Sequence, residues 1–173
     1  MVPTVATFAG TGVTLVLLGI GTIFYAYAEG RRRAGHAVWL VSRVTELSSR
    51  SRDADRYVLG PITLGIGSML ALLLYPNPAA TIAIYALAFG DGLASVAGKL
   101  FGRIRIPGTG GKTVEGSLTC ASAVAISAYL VYPSPAVAVV SAVSSACLEA
   151  LPTGDADNLI LPVGVGLAIS LVV

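Results

Sequence analysis

The sequence predicts an all-α fold, a polytopic transmembrane helical bundle of about six spans with the N-terminus outside and every charged loop cytoplasmic. Three observations predict it. Only 12% of the 173 residues are charged and 55% are hydrophobic, where a soluble domain carries about 25% charge, and the mean hydropathy is +0.82. The eleven Lys and Arg and the nine Asp and Glu all fall in three windows, 29–56, 91–115 and 149–157. Residues 1–28, 57–90, 116–148 and 158–173 between them carry no charge, and about 18 uncharged apolar residues are enough to cross a bilayer. A soluble enzyme, a disordered chain and a nucleic-acid binder are poor readings of such a pattern. The whole chain, 1–173, reads as a single integral membrane domain.

The first span covers 3–28, long enough at about 1.5 Å per residue to cross with some tilt. Nothing basic precedes it and it is too long for the apolar region of a cleaved signal, so it is expected to stay as a helix. Window 29–56 opens with Arg31, Arg32 and Arg33. Val38, Val41, Val44 and Leu47 then recur at helical spacing with Arg43, Glu46 and Arg50 between them, the pattern of a helix lying in the interface plane. His36 belongs to this segment as a headgroup-level residue.

The neutral run 57–90 is too long for one helix and breaks at Tyr75-Pro76-Asn77-Pro78; the run 116–148 breaks at Tyr132-Pro133-Ser134-Pro135. Proline pairs of this kind end one helix and start the next, so each run reads as a helical hairpin. A last, short span covers 158–173. The core of the domain is expected over 57–163.

Orientation follows from charge. The arginine-rich window after the first span is cytoplasmic by the positive-inside rule, and since each hairpin crosses twice, windows 91–115 and 149–157 return to that side. The hairpins also resemble each other. Asp91 follows Pro78 by 13 residues and Glu149 follows Pro135 by 14, a weak internal repeat that would bring the two acids near each other.

Asp91 lies inside the third span, where a carboxylate costs about 2.5–3.5 kcal/mol at mid-membrane and therefore marks function. Ala94, Ser95, Gly98 and Gly102 share its helical face, a small-residue ridge suited to close helix packing or to the approach of a phosphate. Lys99, Arg103, Arg105 and Lys112, with Gly108, Gly110 and Gly111 among them, form a basic, glycine-rich loop able to offer backbone N–H groups and cations to a polyphosphate. The loop is not a Walker A motif, because Ile106 stands where that motif needs its first glycine. Thr113 and Glu115 open the fourth span, where a threonine cap and an acidic first turn are also ordinary.

The third window adds Glu149, Asp155 and Asp157 and no cation, with Asp157 or Asn158 a candidate cap of the last helix. Acids facing a cationic loop suit Mg²⁺, which takes one or two carboxylates together with substrate phosphates. Candidate metal ligands are Asp91, Glu149, Asp155 and Asp157. Zinc is a poor fit to a sequence with one histidine and two unpaired cysteines, Cys120 and Cys147, both within apolar stretches.

In order, these residues resemble the CTP-dependent lipid kinases, the family of dolichol kinase, phytol kinase and the CTP-using diacylglycerol kinase. That family carries Asp-x-x-Ala-x-x-x-Gly-x-x-x-Gly, a basic loop, Lys-Thr/Ser-x-Glu-Gly and a later Asp-Asn pair. Here the three motifs are Asp91, Ala94, Gly98 and Gly102; Lys112, Thr113, Glu115 and Gly116; and Asp157 and Asn158, across about residues 50–163. The resemblance implies a CTP site built from Ser95, Gly98, Lys99, Gly102, Arg103, Arg105, Gly110, Gly111, Lys112, Thr113 and Asn158, with a lipid alcohol entering from the bilayer. Mg²⁺ would be held by Asp91 with Glu149 or Asp157, and Asp91 or Glu115 would orient or deprotonate the acceptor, with Lys112, Arg103 and Arg105 offsetting phosphate charge. Phosphatidate cytidylyltransferases look similar and also use CTP, but their Lys-Arg and His-Gly-Gly signature is absent. A small transporter or subunit, its acids lining an ion path, is the alternative outside enzymes. The expected partners are CTP, the lipid substrate and the surrounding membrane lipids, with a homodimer as one way for so thin a bundle to complete a lipid groove.

Overall fold

The computed structural model describes residues 2–34 and 58–173, apart from the side chains of Arg33 and Asp155. Among the described residues the fold is all-helical; one isolated antiparallel bridge, Arg105 with Thr113, interrupts it. The interfacial helix expected around Val38–Leu47 and the site of His36 lie outside the described residues.

The expected first span is two helices, α1 (Val2–Ala9) and α2 (Thr11–Arg33). Gly10 between them has φ 86°, a left-handed conformation open to glycine and strained for other residues. Its carbonyl accepts from both the backbone N–H and the hydroxyl of Thr14, at 3.2 and 2.9 Å. α2 runs beyond the expected end at Ala28 because its first charged residues pair within the helix. Arg32 donates to both oxygens of Glu29 at 2.7 Å, and the Val58 N–H donates to Glu29 at 3.2 Å. Glu29 is fully buried, and a buried carboxylate is tolerated when it is paired in this bidentate way.

α3 (Gly60–Leu74) starts with Pro61 in its first turn and stops at Tyr75-Pro76. The next span is continuous from Ala79 to Phe101 but changes pitch along its length: α4 (Ala79–Tyr85), a π-helical turn (Ala86–Asp91) and α5 (Gly92–Phe101). α6 (Val114–Val131) is capped by Thr113, whose hydroxyl accepts from Gly116 N–H at 3.2 Å. α7 (Pro135–Glu149) is capped by Ser134 and begins at Pro135, a cap and first-turn proline in the order helices favour. A short 3₁₀ turn (Gly154–Ala156) leads into α8 (Asp157–Ser170). Each Tyr-Pro-x-Pro segment thus ends one helix and starts the next, as its prolines predict.

Three helical segments are long and apolar enough to cross a membrane, Thr11–Arg32, Ala79–Phe101 and Val114–Val131; α3, α7 and α8 are shorter apolar helices. α8, expected as a marginal last span, lies at the centre. It packs against α3, α4 and α7, and Leu161, Val165 and Ile169 are buried in one cluster with Ile82, Ala86, Cys120, Val124 and Val137. Its 14 residues reach only about 21 Å, and three neighbouring helices cover its buried face. Large apolar side chains instead face outward on α2, α5 and α6, among them Ile20, Ile23, Phe24, Leu100, Phe101, Leu118, Ile126 and Leu130. An apolar surface this extensive fits contact with lipid.

Glycines allow the closest crossings. A Cβ on Gly67 of α3 would collide with the Asn158 carbonyl oxygen of α8, and one on Gly166 would run into the Tyr75 ring. The Tyr75 hydroxyl donates to Val163 O at 2.7 Å, fastening the first proline turn to α8.

Candidate functional site

One cavity of about 390 Å³ opens where the ends of α5, α7 and α8 meet the loop before α6. Asp91 reaches it from the last position of the π-helical turn, and Ser95, Gly98 and Lys99 line it from α5. A π turn inserts one residue into the helical register and re-aims the side chains after it, which is why such turns recur at functional sites. Asp91, Ser95 and Gly98, which share one helical face by their spacing, line the cavity wall together.

The basic loop forms a narrow hairpin. Ile106 N–H donates to Lys112 O and Val114 N–H to Ile104 O, each at 2.9 Å, around the Arg105–Thr113 bridge. Gly108, Gly110 and Gly111 take positive φ values of 77°, 71° and 103° at the tip, which is the turn chemistry that lets the chain reverse. Gly110, Gly111, Lys112 and Thr113 come to the cavity.

The small-residue ridge is a packing surface. A Cβ on Gly98 would lie 3.0 Å from the Thr113 hydroxyl, one on Gly102 would strike the Gly98 carbonyl and come within 2.7 Å of the Thr113 methyl, and one on Gly116 would lie 3.0 Å from Ala94 O. The ridge therefore seats the start of α6 on α5. That contact in turn delivers Lys112 to the acids.

Glu149, at the end of α7, and Asp157, at the start of α8, complete the cavity wall and are both buried. Lys112 Nζ stands 3.2 Å from Glu149 Oε1 and 3.5 Å from Asp157 Oδ2. The second Glu149 oxygen accepts from Ser117 Oγ at 2.8 Å, and Asp157 Oδ1 accepts from Asn158 N–H at 2.9 Å. Asp91 and Glu149, matched by the internal repeat, line the same cavity.

Other candidates lie elsewhere. Arg103 and Arg105 are exposed on the hairpin and do not line the cavity. Glu115 also stays outside it; both its oxygens accept from Ile104 N–H at 3.3 Å, tying the first turn of α6 to the hairpin. Gly102 is used in the α5–α6 contact. Asn158 faces α3, donating to Thr63 Oγ1 at 2.9 Å and Gly60 O at 3.3 Å. Asp155 belongs to the 3₁₀ turn, and its side chain is outside the described residues. Ser117, which holds Glu149, escaped sequence reasoning because a serine in the first turns of an apolar helix is indistinguishable from a packing residue until its partner is known.

The position of Asn158 sets an expected result. Asn158→Ala removes two helix–helix hydrogen bonds, worth about 1 kcal/mol each, so thermal unfolding of the purified protein should show clear destabilisation. An unfolding temperature unchanged from the parent would show that these bonds do not hold α8 to α3.

The donor set at the cavity is all oxygen: Asp91, Glu149 and Asp157. Among the described residues, no three acids, histidines or cysteines are gathered closely enough to enclose a metal ion by themselves. This set fits Mg²⁺ in the form that uses one or two carboxylates and leaves the remaining positions to phosphate and water. Compared with protein-family models, curated proteins and solved structures, the chain finds no match in any of the three.

Proposed function

We propose that this membrane protein is a CTP-dependent lipid kinase, transferring a phosphoryl group to the hydroxyl of a membrane lipid alcohol: a polyprenol, a phytol-like isoprenoid or diacylglycerol. The observation that carries the proposal is a cavity in which a membrane-helix carboxylate, Asp91, meets the Lys112–Glu149–Asp157 cluster beneath a glycine-rich hairpin tip. The order of motifs along the chain supports the same reading. In it, six helical segments cross the bilayer, the N-terminus is outside, and the cavity opens to the cytoplasm with the arginine-rich window 29–56 on the same side. Two copies meeting along their lipid faces would complete the groove for the acceptor chain.

The chemistry follows from the placement of groups. Gly110 and Gly111 present a backbone that can approach phosphate oxygens without side-chain interference, and Lys112 and Lys99 offer ammonium groups to the same oxygens. Asp91 orients the lipid hydroxyl and accepts its proton as the lipid oxygen bonds to the γ-phosphorus, and the bond from that phosphorus to the bridging oxygen breaks to release CDP. Mg²⁺, held by Asp91 with Glu149 or Asp157, would supply charge neutralisation for the phosphates. Catalysis in such a site is mostly positioning and electrostatics.

Labelled nucleotide tests the proposal. Incubated with polyprenols, phytol and diacylglycerol, the purified protein should move γ-label from CTP into a lipid and leave α-label in CDP. Transfer of α-label to a lipid phosphate would make it a cytidylyltransferase. Absence of any transfer, together with absence of Mg²⁺-dependent stabilisation at millimolar CTP, would favour a transporter or subunit.

A further inference from the structure

Every oxygen of the two buried acids at the cavity has a protein partner, an ion pair with Lys112 or a hydrogen bond. Glu149 is held by Lys112 and Ser117, and Asp157 by Lys112 and Asn158 N–H, at the distances given above. A divalent cation bound at either carboxylate would stand beside the Lys112 ammonium, so the two positive charges compete for the same oxygens, and of the groups around the acids Lys112 is the one that can leave. Its carbonyl is fixed by Ile106 N–H, so the backbone stays in place while the flexible side chain swings. Ser117 and the Asn158 N–H belong to helices. Lys112 also lines the cavity beside Gly110 and Gly111, within the region where a phosphate would arrive.

We propose that the Lys112 ammonium is an internal counter-cation that holds Glu149 and Asp157 when no nucleotide is present, and that it releases them to a divalent cation when nucleotide phosphate draws it away. This rests on the cation-assisted reading of the cavity given above. The physical reason is charge. Two largely buried carboxylates sharing one neighbourhood repel each other strongly at low dielectric, and the ammonium between them relieves that repulsion in the resting protein. An ammonium and a dication compete for the same oxygens, whereas a triphosphate, with several negative charges, offers Lys112 an alternative partner and supplies oxygens that complete the coordination of the metal. Ordered binding results, with nucleotide before cation or the two together, and the empty protein does not hold the metal tightly.

The test reads cation binding apart from turnover. Mn²⁺, which shares the preference for oxygen ligands, is titrated into the purified full-length protein and followed by electron paramagnetic resonance, with and without the β,γ-methylene analogue of CTP. The parent should bind Mn²⁺ at least about tenfold more tightly with the analogue than without it. Lys112→Met and Lys112→Gln should both bind Mn²⁺ at least about tenfold more tightly than the parent when no nucleotide is present, because the competing ammonium is gone. Lys112→Arg, keeping a cation, should not. Equal Mn²⁺ affinity of the parent with and without the analogue, or nucleotide-free affinity in folded Lys112→Met unchanged from the parent, would overturn the proposal. If γ-label transfer fails while Lys112→Met gains Mn²⁺ binding, the kinase reading falls and the counter-cation role stands.

Discussion

Asp91→Asn is expected to abolish most phosphoryl transfer, lowering turnover by roughly a hundred- to ten-thousand-fold, the range a positioned proton acceptor contributes. The substitution keeps the side-chain shape at the end of the π-helical turn and removes the charge that, in the proposed mechanism, binds a cation and takes the acceptor proton. Nucleotide affinity should fall less than turnover, because Lys99, Lys112 and the hairpin tip remain at the cavity. The melting temperature in detergent should stay within about 5 °C of the parent, so that lost turnover reports chemistry. Initial rates of γ-label transfer check this. Turnover within about threefold of the parent would remove Asp91 from the reaction and shift attention to Glu149 and Asp157.

The largest expected loss of stability is at Gly67, a residue remote from any motif. In an exposed helix, replacing glycine by alanine gains about 1 kcal/mol. At Gly67 the new methyl would meet the Asn158 carbonyl oxygen, with the carbonyl carbon 3.1 Å and the Pro162 ring 3.2 Å away. None of these can swing aside. Pro162 stands four residues after Asn158 and has no N–H to give that carbonyl, so α3 approaches α8 at a place where the helix has no hydrogen bond of its own to protect. Overpacking a well-packed contact typically costs about 1–3 kcal/mol and sometimes more. Gly67→Ala should therefore lower the melting temperature, while Gly19→Ala, where a Cβ meets nothing within 4 Å, should leave it unchanged or raise it. Equal stability of the two variants would show that α3 and α8 do not meet at this point. Because the first turn of α8 carries both Asp157 and Asn158, Gly67→Ala should also weaken nucleotide-dependent Mn²⁺ binding.

Much of the site was legible one residue at a time. Asp91 is conspicuous because a carboxylate in an apolar helix is costly, and Glu149 and Asp157 because they punctuate neutral stretches. Lys112 was legible as a cation of a glycine-rich loop, yet its two carboxylate partners were not, since they lie at the ends of helices that meet only after the hairpins fold. Arg103 and Arg105 looked equivalent to Lys112 along the sequence. The hairpin separates them: the Arg105–Thr113 bridge leaves the arginines exposed and turns the tip glycines and Lys112 toward the acids. Glu115 and Asn158 carry motif positions and are engaged in structural bonds to Ile104 N–H and to α3.

The sequence by itself determined the solvent this chain prefers, the proline turns that divide its neutral stretches into hairpins, and the confinement of charge to three windows. These properties are additive, because the cost of placing a residue in hydrocarbon depends chiefly on that residue and its depth. The tertiary structure alone decided that the short last helix forms the centre of the bundle, that the glycine ridge packs α6 on α5, and that one lysine stands between two carboxylates. Those outcomes depend on helix rotation, on the π turn before α5 and on the register of the hairpin. A change of one residue in any of them re-aims every side chain beyond it, so composition and spacing carry no record of which charges meet.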